Sequence, residues 1–160
     1  MPVAFEGPPD ELAGLAMFLE EQRAALLRKI DGVSDQDAKR RPTPSGFSLL
    51  TLIKHVAYVE RRWFQIEVAR REAPGLWPPP DDREHRIEEG DTIESVRALY
   101  ESVIEENRAI LATPTSADLS SLSANNLNRR WILLHLIEEL ARHAGHADII
   151  RETLDGVTGA

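Results

Sequence analysis

Apolar residues recur at intervals of three and four along four long segments, which is the spacing of helices that each bury one face. The segments run from about residue 10 to 30, 48 to 66, 92 to 110 and 128 to 154. Nothing in the chain shows the alternation of polar and apolar residues that is typical of strands. The pattern therefore predicts an all-α protein with four long amphipathic helices, for which a bundle is the natural architecture.

Residues that favour helix starts and ends lie at the borders of these segments. The predicted N-caps are Asp10 for the first helix, Ser48 for the second, and Asp91 or Thr92 for the third. Gly32 and Gly156 follow the first and fourth helices, where glycine commonly ends a helix. An acidic capping box at residues 34–37 predicts one more short helical turn ahead of the Pro42 and Pro44 loop.

The connection between the second and third helices is long. Residues 72–90 contain four prolines, many charges and little periodic apolar content, so an extended loop is expected. Loops of this length are uncommon in compact domains and are often functional. Trp77 is the aromatic residue in this loop, and we expect it to border a pocket.

Length and charge narrow the class of protein. At 160 residues with 42% hydrophobic residues, the chain fits a single globular domain over 1–160. Its formal net charge of −8 argues against binding to nucleic acid or to anionic lipid. The sequence contains no membrane-length apolar run and no leader-like pattern at residues 1–14, so a cytoplasmic protein is expected.

The candidate chemistry lies in the histidines. In the fourth helix, Glu139, His143 and His146 are separated by four and three positions, so their side chains share one face, which Leu136 and Leu140 turn toward the interior. His55 lies among apolar residues of the second helix. Since bundles build metal sites from inward-facing residues of different helices, His55, His143 and His146 predict a divalent-metal site. The chain has no cysteine, so any metal must be held by nitrogen and oxygen.

Other interpretations of the same residues stay open. His55 alone could be a hydrogen-bonded core residue, and the His143–His146 pair could lie on a solvated face. Glu139 could be a ligand, a general base, a carboxylate that orients an imidazole, or an ordinary helical neighbour of His143. His85 and His135 are interpreted as structural or surface residues.

Several other side chains carry weaker expectations. Glu60 is an ambiguous acidic residue inside the second helix. The helical spacing of Trp63, Phe64 and Trp131 predicts that all three belong to the core.

Two stretches resemble a known family. The run S-D-Q-D-A-K-R-R-P-T-P-S-G-F-S-L-L-T-L-I-K-H within 32–64 and the run H-L-I-E-E-L-A-R-H-A-G-H-A-D-I-I-R within 130–156 are similar to the DinB-like superfamily. The similarity is to the actinobacterial branch that includes mycothiol S-transferases. It implies an up-down-down-up four-helix bundle, often a homodimer, with a metal held by one histidine of the second helix and two residues of the last.

Carried onto this chain, the resemblance implies His55 as the first ligand and His146 as the last. Many relatives place the middle ligand four residues before the last, where this chain has Arg142, which cannot bind a metal cation. His143, one position later, is the available substitute.

The resemblance also implies an activity. Relatives use a metal, expected here to be zinc or nickel, to lower the pKa of a small thiol, which is then added to a small electrophile. A protein site with three ligands and an open position could instead activate water, so a metal-dependent hydrolase is an alternative. A further alternative is a non-catalytic metal-binding stress or interaction protein.

Overall fold

A computed structural model describes residues 10–72, 83–114 and 118–159. Within these ranges the α-helices are α1 (Glu11–Arg28), α2 (Asp35–Ala38), α3 (Leu49–Arg61), α4 (Ile93–Leu111) and α5 (Arg129–Asp155). Helix α3 continues directly as a π-helix over Arg62–Val68, and a 3₁₀ turn spans Arg83–His85. The described part of the chain contains no strand, only an isolated bridge between Leu122 and Asn128. The all-α prediction is confirmed.

Capping side chains begin the helices where the sequence predicted them. The Asp10 carboxylate accepts the backbone N–H of Ala13 at the start of α1. Ser48 and Thr92 each form a reciprocal capping box with the residue three positions later. Each cap satisfies backbone donors that have no partner inside the helix, so helix starts follow from local sequence. Gly156 ends α5 in the left-handed conformation with φ of 77°.

Contacts at both ends show that α1 and α5 run parallel. Near the start of each helix, Glu11 and Arg130 form an ion pair. Near the ends of both helices, Arg151 donates from Nη1 to the backbone carbonyl of Lys29 at 2.9 Å.

Helices α3 and α4 also run parallel, and they oppose α1 and α5. Lys54, near the start of α3, pairs with Asp91, just before α4. Arg71, beyond the end of the π-helix, pairs with Glu106, in the second half of α4. Between α1 and α4 the order is reversed, since Arg97 at the start of α4 meets Asp31, just beyond the end of α1. The four long helices therefore form the up-down-down-up bundle that the family resemblance implied.

The interior is filled by aliphatic and aromatic side chains of all four long helices, with α3 contributing the most completely buried turn, from Leu49 to Ile53. Phe64 is buried as predicted. Trp131, however, is 46% exposed, which corrects its assignment to the core. The first turns of α5 carry apolar residues on every side. Leu134, on the same face as Trp131, is also exposed. Spacing alone could not show which face is buried.

Glu60 of α3 is fully buried in a polar network between α1, α3 and α4. Its two carboxylate oxygens accept from Arg23 Nε at 3.1 and 3.0 Å, and Arg23 Nη2 also donates to it. The Tyr100 hydroxyl and the Asn107 amide donate to Glu60 at 2.7 and 3.1 Å. Glu60, left ambiguous by the sequence, is thus part of a buried ion pair that joins three helices.

Within the described residues, no helix combines the length and apolar content needed to cross a membrane.

Candidate metal centre

Helices α3 and α5 are antiparallel and bring His55 against Glu139 and His143. The rings of His55 and His143 are 4.9 Å apart between centroids, in an edge-on arrangement. Glu139 and His143 are four residues apart on α5, which stacks their side chains on the same face. All three residues are largely buried, with His55 12%, His143 13% and Glu139 19% exposed.

Two imidazoles converge on one carboxylate oxygen. His143 Nε2 is 3.1 Å and His55 Nε2 is 3.8 Å from Oε1 of Glu139. One potential ligand atom from each residue lies within 4.8 Å of the others, which is the spacing that a single cation requires. We refer to His55, Glu139 and His143 as the histidine–glutamate cluster.

The outer nitrogens of the same two rings have incomplete hydrogen bonding. Nδ1 of His55 and Nδ1 of His143 are buried and have no hydrogen-bond partner. The His55 nitrogen lies 3.4 Å from Oε1 of Glu84, close enough for electrostatic attraction but without hydrogen-bond geometry. Buried nitrogens without partners are costly, and they often mark sites that a ligand or ion completes.

Glu84 and His85 form a second group with His55. The His85 ring stacks on that of His55 at 4.7 Å between centroids, and its Nε2 is 3.3 Å from Oε1 of Glu84. Potential ligand atoms of these three residues also lie within 4.8 Å of one another. The sequence alone does not identify Glu84 and indicates a structural or surface role for His85. The adjacent Glu and His after the proline-rich run were the available signal, but only the fold places them against α3.

Local charges tune the protonation of the site. Burial alone would raise the pKa of Glu84, but its close contact with His55 and its hydrogen-bonded ion pair with Arg62 lower that pKa to about 2. Glu84 is therefore a carboxylate at any physiological pH. Burial, with a further contribution from His55, lowers the pKa of His143 despite the opposing effect of Glu139. A lowered pKa keeps His143 neutral, which is the form that binds metal.

His146 lies outside both groups. Its Nε2 is 2.9 Å from the Ser45 hydroxyl, and its ring packs edge-on against Phe47 at 5.4 Å. Seven residues separate it from Glu139, which is about 10 Å along the helix axis, so it lies beside the loop before α3. The structure thus brings together two of the three predicted histidines, His55 and His143, and places Glu139 with them.

A family model described as mycothiol-S-transferase matches residues 14–156. The chain belongs to the mycothiol-S-transferase family. The match covers all four long helices, including the histidine–glutamate cluster, and it confirms the resemblance inferred from the two sequence stretches. No curated protein matches the chain.

In this member of the mycothiol-S-transferase family, a cavity of about 340 Å³ opens beside the cluster. His55 and Glu139 form part of its wall. Val59, Trp63 and Ile66 supply apolar surface, and polar groups come mainly from Arg62, Glu67, Asn125 and His135. This volume falls in the range of small-molecule sites, and the mixed lining suits a ligand with both apolar and polar parts.

The π-helix helps to form this cavity. Its wider turns carry Trp63 and Ile66 on the cavity side. Glu67 accepts a hydrogen bond at 2.9 Å from the hydroxyl of Ser123, in the loop before α5. Single π-helical turns inside α-helices are frequent at functional sites. His135, interpreted from sequence as structural, stacks on Trp131 at 5.1 Å and lines the cavity. Trp77, expected to border a pocket, lies outside the described residues.

The donor set fits a divalent metal. Two neutral imidazoles and one carboxylate are a known ligand set of catalytic zinc sites, which keep one position open. The unpartnered Nδ1 atoms and the convergence of both Nε2 atoms on Glu139 agree with such a site. Imidazole and carboxylate donors do not by themselves select zinc over nickel.

Proposed function

We propose that this protein is a metal-dependent thiol S-transferase that joins a low-molecular-weight thiol to a small electrophile. The observation that carries the proposal is the convergence of His55 Nε2 and His143 Nε2 on one oxygen of Glu139, at the wall of a ligand-sized cavity. Membership of the mycothiol-S-transferase family supports a transferase and supports mycothiol as the thiol.

The proposed ligands are His55, Glu139 and His143. Glu139 and His143 are four residues apart on the last helix, which is the spacing that the family resemblance implies for the last two ligands. With His143 as the last ligand, the position four residues earlier holds a carboxylate rather than Arg142. The sequence-based set with His146 stays a prediction, and a variant comparison separates the two sets.

A bound zinc-like ion supplies positive charge that lowers the pKa of a thiol next to it. The chain has no cysteine, so the reacting thiol must come from a cosubstrate. The apolar wall of Val59, Trp63 and Ile66 would hold the electrophile and limit access of water, which favours sulfur over water as nucleophile.

The transfer forms one carbon–sulfur bond. The thiol loses its proton, and the sulfur electron pair attacks the electrophilic carbon. Either a leaving group departs with its electron pair, or the π electrons of an activated alkene move to the neighbouring carbon, which then takes a proton. We propose that His135, an imidazole in the cavity wall outside the ligand set, accepts the proton of the thiol and then gives it to that carbon or, when a leaving group departs, to solvent.

Glu84 is proposed to position His55. Its carboxylate lies 3.4 Å from His55 Nδ1 on the side of the ring away from Glu139, and its partner Arg62 holds it from the cavity side. Metal-bound histidines commonly direct their other nitrogen to a carboxylate, which fixes the tautomer and the ring orientation.

The test is a conjugation assay with zinc-loaded protein, mycothiol and monobromobimane, from which the thiol displaces bromide. We expect turnover above the uncatalysed rate that disappears in Glu139→Gln. Glu138→Gln is the matched control, because Glu138 is the neighbouring exposed carboxylate and pairs only with Arg142 among the described residues. This control should retain the parent's activity.

Other outcomes would favour the alternatives. Hydrolysis of an ester substrate without added thiol, lost in the same variant, would replace the transferase with a metal-dependent hydrolase. Stoichiometric metal binding without turnover of any thiol and electrophile pair would favour a non-catalytic binding protein.

A further inference from the structure

A second cavity lies where the end of the π-helix meets the end of α4 and the start of α5. Its volume is about 820 Å³, and Arg70, Arg71 and Arg129 line it together with Ser121 and apolar side chains. We call it the basic cavity, because its lining residues within the described part of the chain include three arginines and no acidic residue. Such a concentration of positive charge is unusual in a protein with a net charge of −8.

Arg129 is the central observation. It is only 4% exposed, and its Nε and Nη1 atoms are buried without a hydrogen-bond partner. A buried guanidinium without a counter-ion costs far more than an exposed one, because desolvation is not offset by hydrogen bonds. Native proteins rarely leave such groups unsatisfied unless a ligand, ion or water completes them.

The nearby acidic group is already engaged. The Asp118 carboxylate accepts from the Ser120 backbone at 2.9 Å and from the hydroxyls of Ser120 and Ser121 at 2.7 and 2.9 Å. Asp118 influences Arg129 electrostatically, but the two form no ion pair among the described residues. Asp118 therefore does not supply a direct partner for Nε and Nη1 of Arg129.

The two other arginines add charge to the same cavity. Arg70 adopts the left-handed conformation with φ of 54°, and its Nη2 donates to the carbonyls of Leu122 and Ser123 at 3.0 and 3.2 Å. These neutral acceptors hold its position without cancelling its charge. Arg71 pairs with Glu106, half-exposed at the rim.

We propose that the basic cavity binds a small organic anion whose head group is a carboxylate or a phosphate. Guanidinium groups bind both of these oxyanions through paired N–H donors. The apolar side chains of Val68, Ile110 and Leu122 line the same space and suit an apolar body attached to the charged head. The anion would supply the missing counter-ion of Arg129.

This site is separate from the metal centre. Val68, which lines the basic cavity, follows His55 by thirteen residues along the continuous helical segment from Leu49 to Val68, which is about 20 Å at helical rise. None of the residues that line the basic cavity belongs to the histidine–glutamate cluster or lines the cavity beside it. Binding here would not depend on the metal or on thiol transfer.

Thermal unfolding of the full chain, with sodium phosphate or sodium benzoate added at constant ionic strength, tests the proposal. An anion that binds the folded state at ten times its dissociation constant should raise Tm by about 3–6 °C. Arg129→Met should abolish this rise, and without anion its Tm should equal or exceed that of the parent, because an unpaired buried charge is removed. A purely structural arginine would instead lower Tm when replaced.

Two further variants complete the test. Arg71→Met, at the rim, should weaken anion binding measured by calorimetry about tenfold. Arg40→Met removes an exposed arginine outside the basic cavity and should keep the full response, which corrects for the general stabilising effect of phosphate. A response to phosphate alone identifies a phosphate head, and one to benzoate alone identifies a carboxylate with an apolar body. No binding of either anion to the parent, or an unchanged response in Arg129→Met, would overturn the proposal.

Discussion

Helix α3 carries two clusters of ionisable groups, five residues apart, that differ in how their polar atoms are satisfied. At Glu60, both carboxylate oxygens receive hydrogen bonds from Arg23, and Tyr100 and Asn107 add one each. At His55, the ring faces Glu139 on one side and Glu84 on the other, yet its Nδ1 has no hydrogen bond.

This difference distinguishes a cluster that stabilises the fold from a cluster that is suited to bind a ligand. All three guanidinium nitrogens of Arg23 and both oxygens of Glu60 are hydrogen-bonded, and Oδ1 of Asn107 is the one atom of this network without a partner among the described residues. A buried ion pair bonded in this way holds helices in register. A buried group of imidazoles and carboxylates with unpartnered nitrogens is suited to bind an ion or ligand that completes it. The Glu60 network is therefore assigned to the fold, and the histidine–glutamate cluster is the proposed functional site.

Breaking the Glu60 network should produce the largest loss of stability. Glu60→Ala leaves Nε and Nη2 of Arg23 buried without a partner, while Nη1 keeps its ion pair with Glu20. We expect a loss of about 3–5 kcal/mol, measured by urea unfolding. Metal content per folded chain should not change. The control Glu105→Ala removes a carboxylate that is 70% exposed and should stay within about 0.5 kcal/mol of the parent. An equal loss in both variants would contradict the structural role of the network.

Removing a proposed ligand should lower metal affinity and leave the stability of the metal-free protein unchanged. Glu139→Gln is expected to lower metal affinity at least about 100-fold, measured by competition with a chelator. Mutation of residues that only hydrogen-bond to a metal ligand already changes affinity about 10- to 100-fold. The metal-free protein should keep its stability, because the carboxylate is not part of a saturated network. A large loss of stability without metal would remove the distinction between the two clusters.

Glu84→Gln should have an intermediate effect on the metal. It keeps the shape of the side chain but removes the charge behind His55, and we expect metal affinity to fall about tenfold. Tm in the absence of metal should fall by a few degrees at neutral pH, because the interactions of the Glu84 charge with Arg62 and His55 are lost. An affinity equal to that of the parent would show that Glu84 does not position His55.

The pH dependence of the metal-free protein tests the charges of the site without the ion. The pKa of Glu84 is lowered from 4.5 to about 2, so its contribution is present above pH 4.5 and is lost as the pH falls toward 2. That contribution is at most about 3 kcal/mol. Glu84→Gln should therefore lose less stability than the parent over this range. The pKa of His143 is lowered in the folded protein, so folding opposes protonation of this imidazole. Its effect therefore lies at higher pH than that of Glu84: the free energy of unfolding declines as the pH falls below 6.5, the ordinary pKa of histidine.

Much of the fold could be predicted because its determinants are local. The caps at Asp10, Ser48 and Thr92 lie directly beside the periodic segments that they begin, so helix starts were identified correctly. The up-down-down-up order followed from the family resemblance. The π-helix after Arg61 was not predicted, because the apolar pattern of residues 62–68 is compatible with either backbone.

The site was predictable only in part. His55, Glu139 and His143 share inward faces that helical spacing reveals, but spacing also placed His146 on that face. Its contact with Ser45 depends on where the loop before α3 passes, which has no periodic signal. Glu84 reaches His55 from a segment 29 residues later in the chain, so no local pattern identifies it.

Metal content of the parent, His143→Ala and His146→Ala, purified without a nickel column and measured by elemental analysis, tests the central claim most directly. The two histidines lie one turn apart on the same helix, so each variant serves as the control for the other. We expect about one ion per chain in the parent and in His146→Ala, and little in His143→Ala. Loss of the metal in His146→Ala with retention in His143→Ala, or a parent that binds no metal after reconstitution, would contradict the proposed centre.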